Sequence, residues 1–300
     1  NRGVVDLDLA VREGEVLGFL GPNGAGKTTT IRLLLNLLQP TSGSASVLGM
    51  DAAAQSLEVR RACGVVSSDS AFYESLSGRA HLALMQSHHN GGEHRGDEVA
   101  ERLGLDLDRP VKQYSHGTRQ KLAIVQALAH SPKVLVLDEP TSGLDPLVQQ
   151  EFFKLLLEER DRGVTVFFSS HVLSEVDRLC DRVGIIREGV LAATLDVDEL
   201  HRQQVRRMEV TLSRDASPDD FALDGVTVVA CEGRHAELQV AGQVGVLIGH
   251  LATLPVDDIV FPEASLEDTF TRFYTGDGGE EASARTTLRQ AQGERTGGEA

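Results

Sequence analysis

The segment GPNGAGKT, Gly21 to Thr28, has the residue types and spacing of a phosphate cradle, G-x-x-x-x-G-K-[ST]. It follows EVLGFLG, which reads as a buried strand, and precedes IRLLLNLL, whose Ile31, Leu34, Leu35 and Leu38 fall at helical spacing. Glycines at 21, 24 and 26 let the backbone turn its N–H groups inward, where the dipole of the following helix also favours negative charge. Gly21, Pro22, Asn23, Gly24, Ala25, Gly26, Lys27, Thr28 and Thr29 are therefore the expected nucleotide-phosphate-binding residues. Lys27 is expected to reach the β- and γ-phosphates as a point charge, and Thr28 to offer its hydroxyl to Mg²⁺.

A second constellation fits the first. VLVLDEP places Asp138 and Glu139 at the carboxyl end of an apolar strand, where open α/β sheets hold their ligands. Read alone, Asp-Glu-Pro is only a turn that ends a strand. Beside a phosphate loop, Asp138 becomes the expected Mg²⁺ carboxylate and Glu139 the group that orients and deprotonates the attacking water.

These residues need a scaffold, and its elements can be read from the chain. KVLVLD and VTVFFSS are nearly continuous apolar runs, as expected of parallel strands covered on both faces. Helical patterns lie between them, which points to a doubly wound α/β core. The opening run after Asn1 also reads as a strand, and residues 72–131 as a mostly helical insert. From about residue 206 the pattern changes: MEVTLS, VTVVAC and DDIVF read as strands and VGVLIGHLATL as a helix. SLEDTFTRFY opens with a capping pattern, Ser265 and Asp268, and sets Leu266, Phe270 and Phe273 on one face. The expected organisation is a nucleotide-binding domain over 1–205, a small α+β domain over 206–275 and a disordered tail over 276–300, too poor in large apolar residues to offset its ordering entropy.

Composition removes several classes. A net charge of −16 works against sequence-independent binding to nucleic acid, so no nucleic-acid partner is expected. No apolar run approaches the roughly 18 to 20 residues that cross a bilayer. Cys63, Cys180 and Cys231 lack the density of a disulfide framework and the C-x-x-C spacing of a metal site, and read as reduced thiols in cytosol. HHNGGEH, with His88, His89 and His94, reads as a solvated loop rather than a metal site. Asn1 in place of Met, directly before a strand-like run, gives the expectation that the N-terminus is truncated.

A further set of motifs carries a resemblance. YSHGTRQ, Tyr114 to Gln120, precedes the helix-like QKLAIVQALAH; TSGLD ends at Asp145 and SSH at His171. With the phosphate loop and LVLDEP, these five motifs stand in the order found in ATP-binding cassette proteins. The chain is identified on them as a member of that family. YSHGT resembles its signature, TSGLD its D-loop and SSH its switch histidine. The resemblance implies a RecA-like phosphate-loop NTPase core with a helical subdomain over about 72–131. It also implies head-to-tail pairing of two cassettes, a homodimer or a pair with a sibling, in which Ser115, His116 and Gly117 meet the γ-phosphate held by the other subunit. Asp145 would couple the two sites, and His171 would position the γ-phosphate and water, as a catalytic residue with Lys27 and Glu139.

The resemblance also marks two departures. Where the family places a glutamine after the strand GVVSS, in contact with Mg²⁺, this chain has Ser68, too short to span the same distance without water. The aromatic residue on which the family stacks adenine has no counterpart before Phe19, so ATP is expected to bind more weakly, base stacking being worth on the order of 1–3 kcal/mol. GFLGPNGAGKTTTIRLLLNLLQPTSG, the YSHGTRQKL form and the appended small domain resemble ATP-binding subunits of multidrug and antibiotic exporters. That implies an ATPase powering a separate membrane permease from the cytoplasmic face. The alternatives are a soluble cassette ATPase of the translation or DNA-maintenance type, and a regulatory binding module that no longer turns over.

Overall fold

The structure is a computed structural model, and it describes residues 3–68, 70–88, 94–199, 206–240 and 244–261. The described residues up to Asp196 form one compact unit, and those from Val197 to Phe261 belong to another.

The first unit is organised by a six-stranded sheet. Its strands are β1 (Val16–Leu20), β4 (Cys63–Val66), β5 (Val134–Asp138), β6 (Thr165–Ser170), β7 (Arg182–Arg187) and β8 (Val190–Asp196). They lie in the order β4-β5-β6-β1-β7-β8, all parallel except β8, which returns antiparallel along β7. All residues of β1, β5 and β6 are buried, which is why these segments read as unbroken apolar runs. The hairpin β2 (Ser46–Val47) and β3 (Met50–Asp51) stands apart from this sheet.

Helices cover both faces: α1 (Lys27–Leu34), α2 (Ser56–Ala62), α6 (Pro146–Asp161) and α7 (Leu173–Leu179). On one face Leu17, Phe19, Val136 and Phe167 pack with Ile31 of α1 and Val59 of α2, and the Phe19 and Phe167 rings lie 5.2 Å apart. Between β4 and β5 the described chain carries α3 (Gly78–Gln86), α4 (Gly96–Arg102) and α5 (His116–Leu128). Charge fastens α4 to α6: Arg102 forks onto Glu158 at 2.6 and 2.8 Å and reaches Glu151 at 2.7 Å, while the buried Arg95 just before α4 pairs with the buried Glu159.

The opening run differs from its reading. Residues 3–15 form no strand, although Leu7, Leu9 and Val11 alternate into the core as strand residues do. Asp6 at φ +46° breaks the extended backbone there, and Val5 N–H bonds the Gly189 carbonyl at 2.8 Å. β7 and β8 were not anticipated from the sequence. Cys63 and Cys180 are buried free thiols and Cys231 is partly so; burial pushes the Cys63 thiol up to about 11 and raises Cys180 as well, which makes both unreactive. His88 bonds the Leu84 carbonyl and His94 is exposed; His89 lies outside the described residues.

The second unit is an antiparallel sheet in the order β10-β11-β9-β12, built from β9 (Arg206–Leu212), β10 (Val226–Glu232), β11 (His235–Val240) and β12 (Val256–Val260). Met208, Val210, Leu212, Ala236, Leu238 and Val240 point to one face, where Phe221 and the helix Val244–Leu251 close a separate core. Its other face carries polar residues, among them the pair Arg207–Glu237. β11, HAELQV, was not read as a strand, because its alternation is masked by His, Glu and Gln on the outer face. Ser265, Leu266, Asp268, Phe270 and Phe273, and the segment 276–300, lie outside the described residues.

Phe19 is fully buried where the sheet meets α1 and α2, so Phe19→Ala is expected to cost about 3–5 kcal/mol. Denaturant unfolding of the full chain measures it; a loss below about 1 kcal/mol would show that this core repacks freely.

Candidate functional site

The phosphate loop bridges β1 and α1. Gly26 ends it in the left-handed region, φ +117°, and serves as N-cap of α1, so that Lys27 is the first helical residue. Gly21 fits for a different reason: a Cβ there would sit 2.5 Å from the Ile186 carbonyl of β7. Ala25 is buried and anchors the loop, its N–H on Pro22 O and its carbonyl taking Gly189 N–H. Pro22, Asn23 and Gly24 face solvent, with Thr28 and Thr29 on the first turn of α1.

Lys27 is buried at 5% exposure, and its ammonium finds its partners locally. Nζ donates to Gly21 O at 2.6 Å and Pro22 O at 3.2 Å, and pairs with Glu139 Oε1 at 3.2 Å. The other oxygen of Glu139 meets His171 Nδ1 at 3.3 Å. Lysine, glutamate and histidine thus form one chain of contacts across the carboxyl ends of β1, β5 and β6. Glu139 takes φ +46°, a left-handed conformation costly for a residue with a Cβ. It is held there by its N–H on Ser169 O at 3.2 Å.

Beside it, Asp138 is buried at 1% exposure and is satisfied by hydroxyls. Thr28 Oγ1 and Ser68 Oγ donate to Oδ2 at 2.7 and 3.2 Å, and Ser169 Oγ donates to Oδ1 at 2.8 Å. Ser169 was missed in the sequence. The signal was present in SSH, since alternation on a strand sends Ser169 and His171 to the same side, but only register with Asp138 gives the serine its partner.

The signature residues lie at the N-terminal end of α5. Ser115 is the N-cap of α5, accepting Thr118 N–H at 3.2 Å. His116 and Gly117 lie against Gly143. Asp145 caps α6 by accepting the N–H groups of Leu147 and Val148, both at 3.1 Å, and its neighbour Leu147 is exposed. The structure therefore brings Lys27, Thr28, Ser68, Asp138, Glu139 and His171 together, and sets His116 and Gly117 against Gly143 of the turn that follows Glu139, with Ser115 and Asp145 as the caps of α5 and α6.

A parallel sheet with a glycine loop and paired acidic residues at its carboxyl edge defines a phosphate-loop nucleoside triphosphatase. The model of the ABC transporter family matches residues 4–142. The chain is 40% identical over 217 residues to the bacitracin transport ATP-binding protein BcrA of Bacillus licheniformis, covering 71% of each chain. It is 36% identical over 288 residues to the daunorubicin resistance ATP-binding protein DrrA3 of Streptomyces coeruleorubidus, covering 90% of each. Among solved structures, an ATP-binding subunit of an ABC transporter is similar at a TM-score of 0.62 and 29% identity, over 66% of this chain and 85% of that one. A dimeric ATP-binding cassette in a post-hydrolysis state with ADP and Pi shares the fold, at a TM-score of 0.60 and 22% identity over 65% of this chain and 90% of the other. The protein belongs to the ABC transporter family and is one of its ATP-binding, ATP-hydrolysing subunits. Among the described residues no helix is long and apolar enough to cross a membrane.

Lys27→Ala removes the ammonium of the cradle, and hydrolysis is expected to fall by about 100-fold or more in an assay of released phosphate. Undiminished turnover would mean that the loop does not bind the reacting phosphate.

Proposed function

We propose that the chain drives the export of an antibiotic-like or lipid-like substrate through a separate membrane permease, by ATP-dependent pairing of two cassettes. The observation that carries the catalytic part is the contact chain Lys27–Glu139–His171 beside the hydroxyl-lined Asp138. Gly21 to Thr29 hold the nucleotide. Lys27 exchanges its carbonyl partners and Glu139 Oε1 for phosphate oxygens, which frees Oε1 to take a proton from water, while His171 Nδ1 keeps Oε2 in place. Thr28, Asp138 and Ser68 fit Mg²⁺: they offer oxygen donors only, one carboxylate with two hydroxyls, as suits a hard cation that keeps water and substrate phosphate as its other ligands. The bound ion would neutralise charge on the phosphates.

Ser115, His116 and Gly117 stand at the N-terminal end of α5, where Ser115 caps the helix. Their place is a second copy's γ-phosphate, which backbone N–H groups and a hydroxyl at a helix N-terminus suit without a lysine. Asp145, on the adjoining turn, lies on the same pairing surface. The chain would then work at the cytoplasmic face of the membrane. The names of the bacitracin and daunorubicin relatives support the substrate class, and the match to the second extends into the small domain. We assign the cassette to 1–205, the accessory domain to 206–275 and a tail to 276–300.

Glu139→Gln keeps the shape of the turn and removes the base. With ATP it is expected to hydrolyse at least about 100-fold more slowly, to form a stable dimer by light scattering, and to co-purify with a polytopic membrane protein. Wild-type turnover would refute the base assignment. Recovery of only soluble or ribosomal partners would remove the exporter reading.

A further inference from the structure

Gln120 has no part in the nucleotide chemistry described so far, yet it is buried at 8% exposure on the first turns of α5. Its amide Nε2 donates to the Pro140 carbonyl at 2.8 Å. Pro140 is the residue after Glu139, whose backbone is held at φ +46°. The turn carrying the proposed base is thus gripped from two sides, by Ser169 of β6 through the Glu139 N–H and by Gln120 of α5 through the Pro140 carbonyl.

The same turn dovetails with α5 one step further on. A Cβ on Gly117 would stand 2.5 Å from the Gly143 carbonyl, and a Cβ on Gly143, at φ +75°, would stand 2.5 Å from His116 Cδ2. At 117 a larger residue would have to displace backbone, and at 143 it would be strained by the positive φ and would push the His116 ring aside. The end of α5 that bears Ser115 and the turn that bears Glu139 therefore meet at backbone contact, with one buried side-chain hydrogen bond across the joint.

We infer that Gln120 is a positioning residue for ATP hydrolysis, fixing the Glu139 turn against the Ser115 end of α5. The inference rests on the proposed role of Glu139. A strained backbone keeps its conformation only while its surroundings over-determine it. Removing the amide donor leaves the Pro140 carbonyl unpaired in a buried site and lets the turn relax, moving the Glu139 carboxylate off its line to water. Nucleotide affinity resides in the loop Gly21–Thr29, which Gln120 does not touch, so the loss falls on turnover rather than on binding. Because Ser115 shares this turn of helix, the group offered to a second copy and the group acting on the chain's own phosphate are carried on one rigid joint.

The test is steady-state ATP hydrolysis by the full chain with Gln120→Leu and Gln120→Glu, between about pH 6 and about pH 8.5, with the parent measured at each pH. Both are expected to lower kcat by about tenfold or more at the alkaline end, with the KM for ATP held within about twofold. The deficit of Gln120→Glu is expected to shrink toward the acidic end. Burial and the facing carbonyl raise the introduced carboxyl's pKa, and once protonated it donates to Pro140 O as the amide did. The deficit of Gln120→Leu stays constant with pH. A kcat within about twofold of the parent in both variants, or a Gln120→Glu deficit that ignores pH, overturns the inference. Should either variant fail to fold, Gly143→Ala strains the same joint from its other side, and an unchanged kcat there also overturns it. Glu139→Gln assayed alongside separates the two failures: wild-type turnover in that variant removes the base assignment, whereas its loss with unaffected Gln120 variants removes only the positioning role.

Discussion

The arrangement depends on the pairing of one buried carboxylate. Asp138 ends β5 almost without solvent contact, and an ionised group in such a place must be satisfied by the protein or lose its charge. Three hydroxyls do this, and they come from three separate elements: Thr28 from α1, Ser68 from the chain after β4 and Ser169 from β6. The requirement therefore fixes the start of α1, the exit from β4 and the end of β6 around one point. It also explains how Ser68 serves where the family resemblance leads one to expect glutamine. The shorter side chain reaches Asp138 itself rather than a site beyond it.

The sheet supplies the rigidity that this point needs. Strands β1, β5 and β6 are buried on both faces, so their carboxyl ends are fixed relative to one another by ladder bonds and by aromatic packing such as Phe19 on Phe167. That rigidity permits strain one residue further on. Glu139 sits at φ +46° because its neighbours leave it no alternative, and the conformation aims its carboxylate between Lys27 and His171. Charge restrains the periphery in a similar way. Arg95 and Arg102 tie α4 to Glu151, Glu158 and Glu159 of α6, the helix that Asp145 caps.

Much of this was legible in the chain, and the reasons differ by element. β1, β5 and β6 announced themselves because burial on both faces forces unbroken apolar runs. The phosphate loop did so because a backbone wrapped around a phosphate admits few side chains. β11 escaped because His, Glu and Gln on its outer face blur the alternation, and β7 because its apolar stretch between two arginines is only four residues long. The opening residues misled in the opposite direction: Leu7, Leu9 and Val11 follow the two-residue period and pack against the core, yet residues 3–15 join no ladder.

The sequence by itself determined the chemistry: a lysine and hydroxyl after a glycine turn, two carboxylates at a strand end, and the order of five motifs that marks an ATP-binding cassette. Those are local properties, set by residue type and by spacing along the chain. Tertiary structure alone decided which partners each group has. Ser169 opposite Asp138, Gln120 under Pro140, and Gly143 against His116 are pairings between residues about twenty to thirty apart in the chain, made neighbours by strand register and helix packing. No periodicity records them, because a hydrogen bond across a fold depends on where two elements meet, and that is settled by the packing of the whole core.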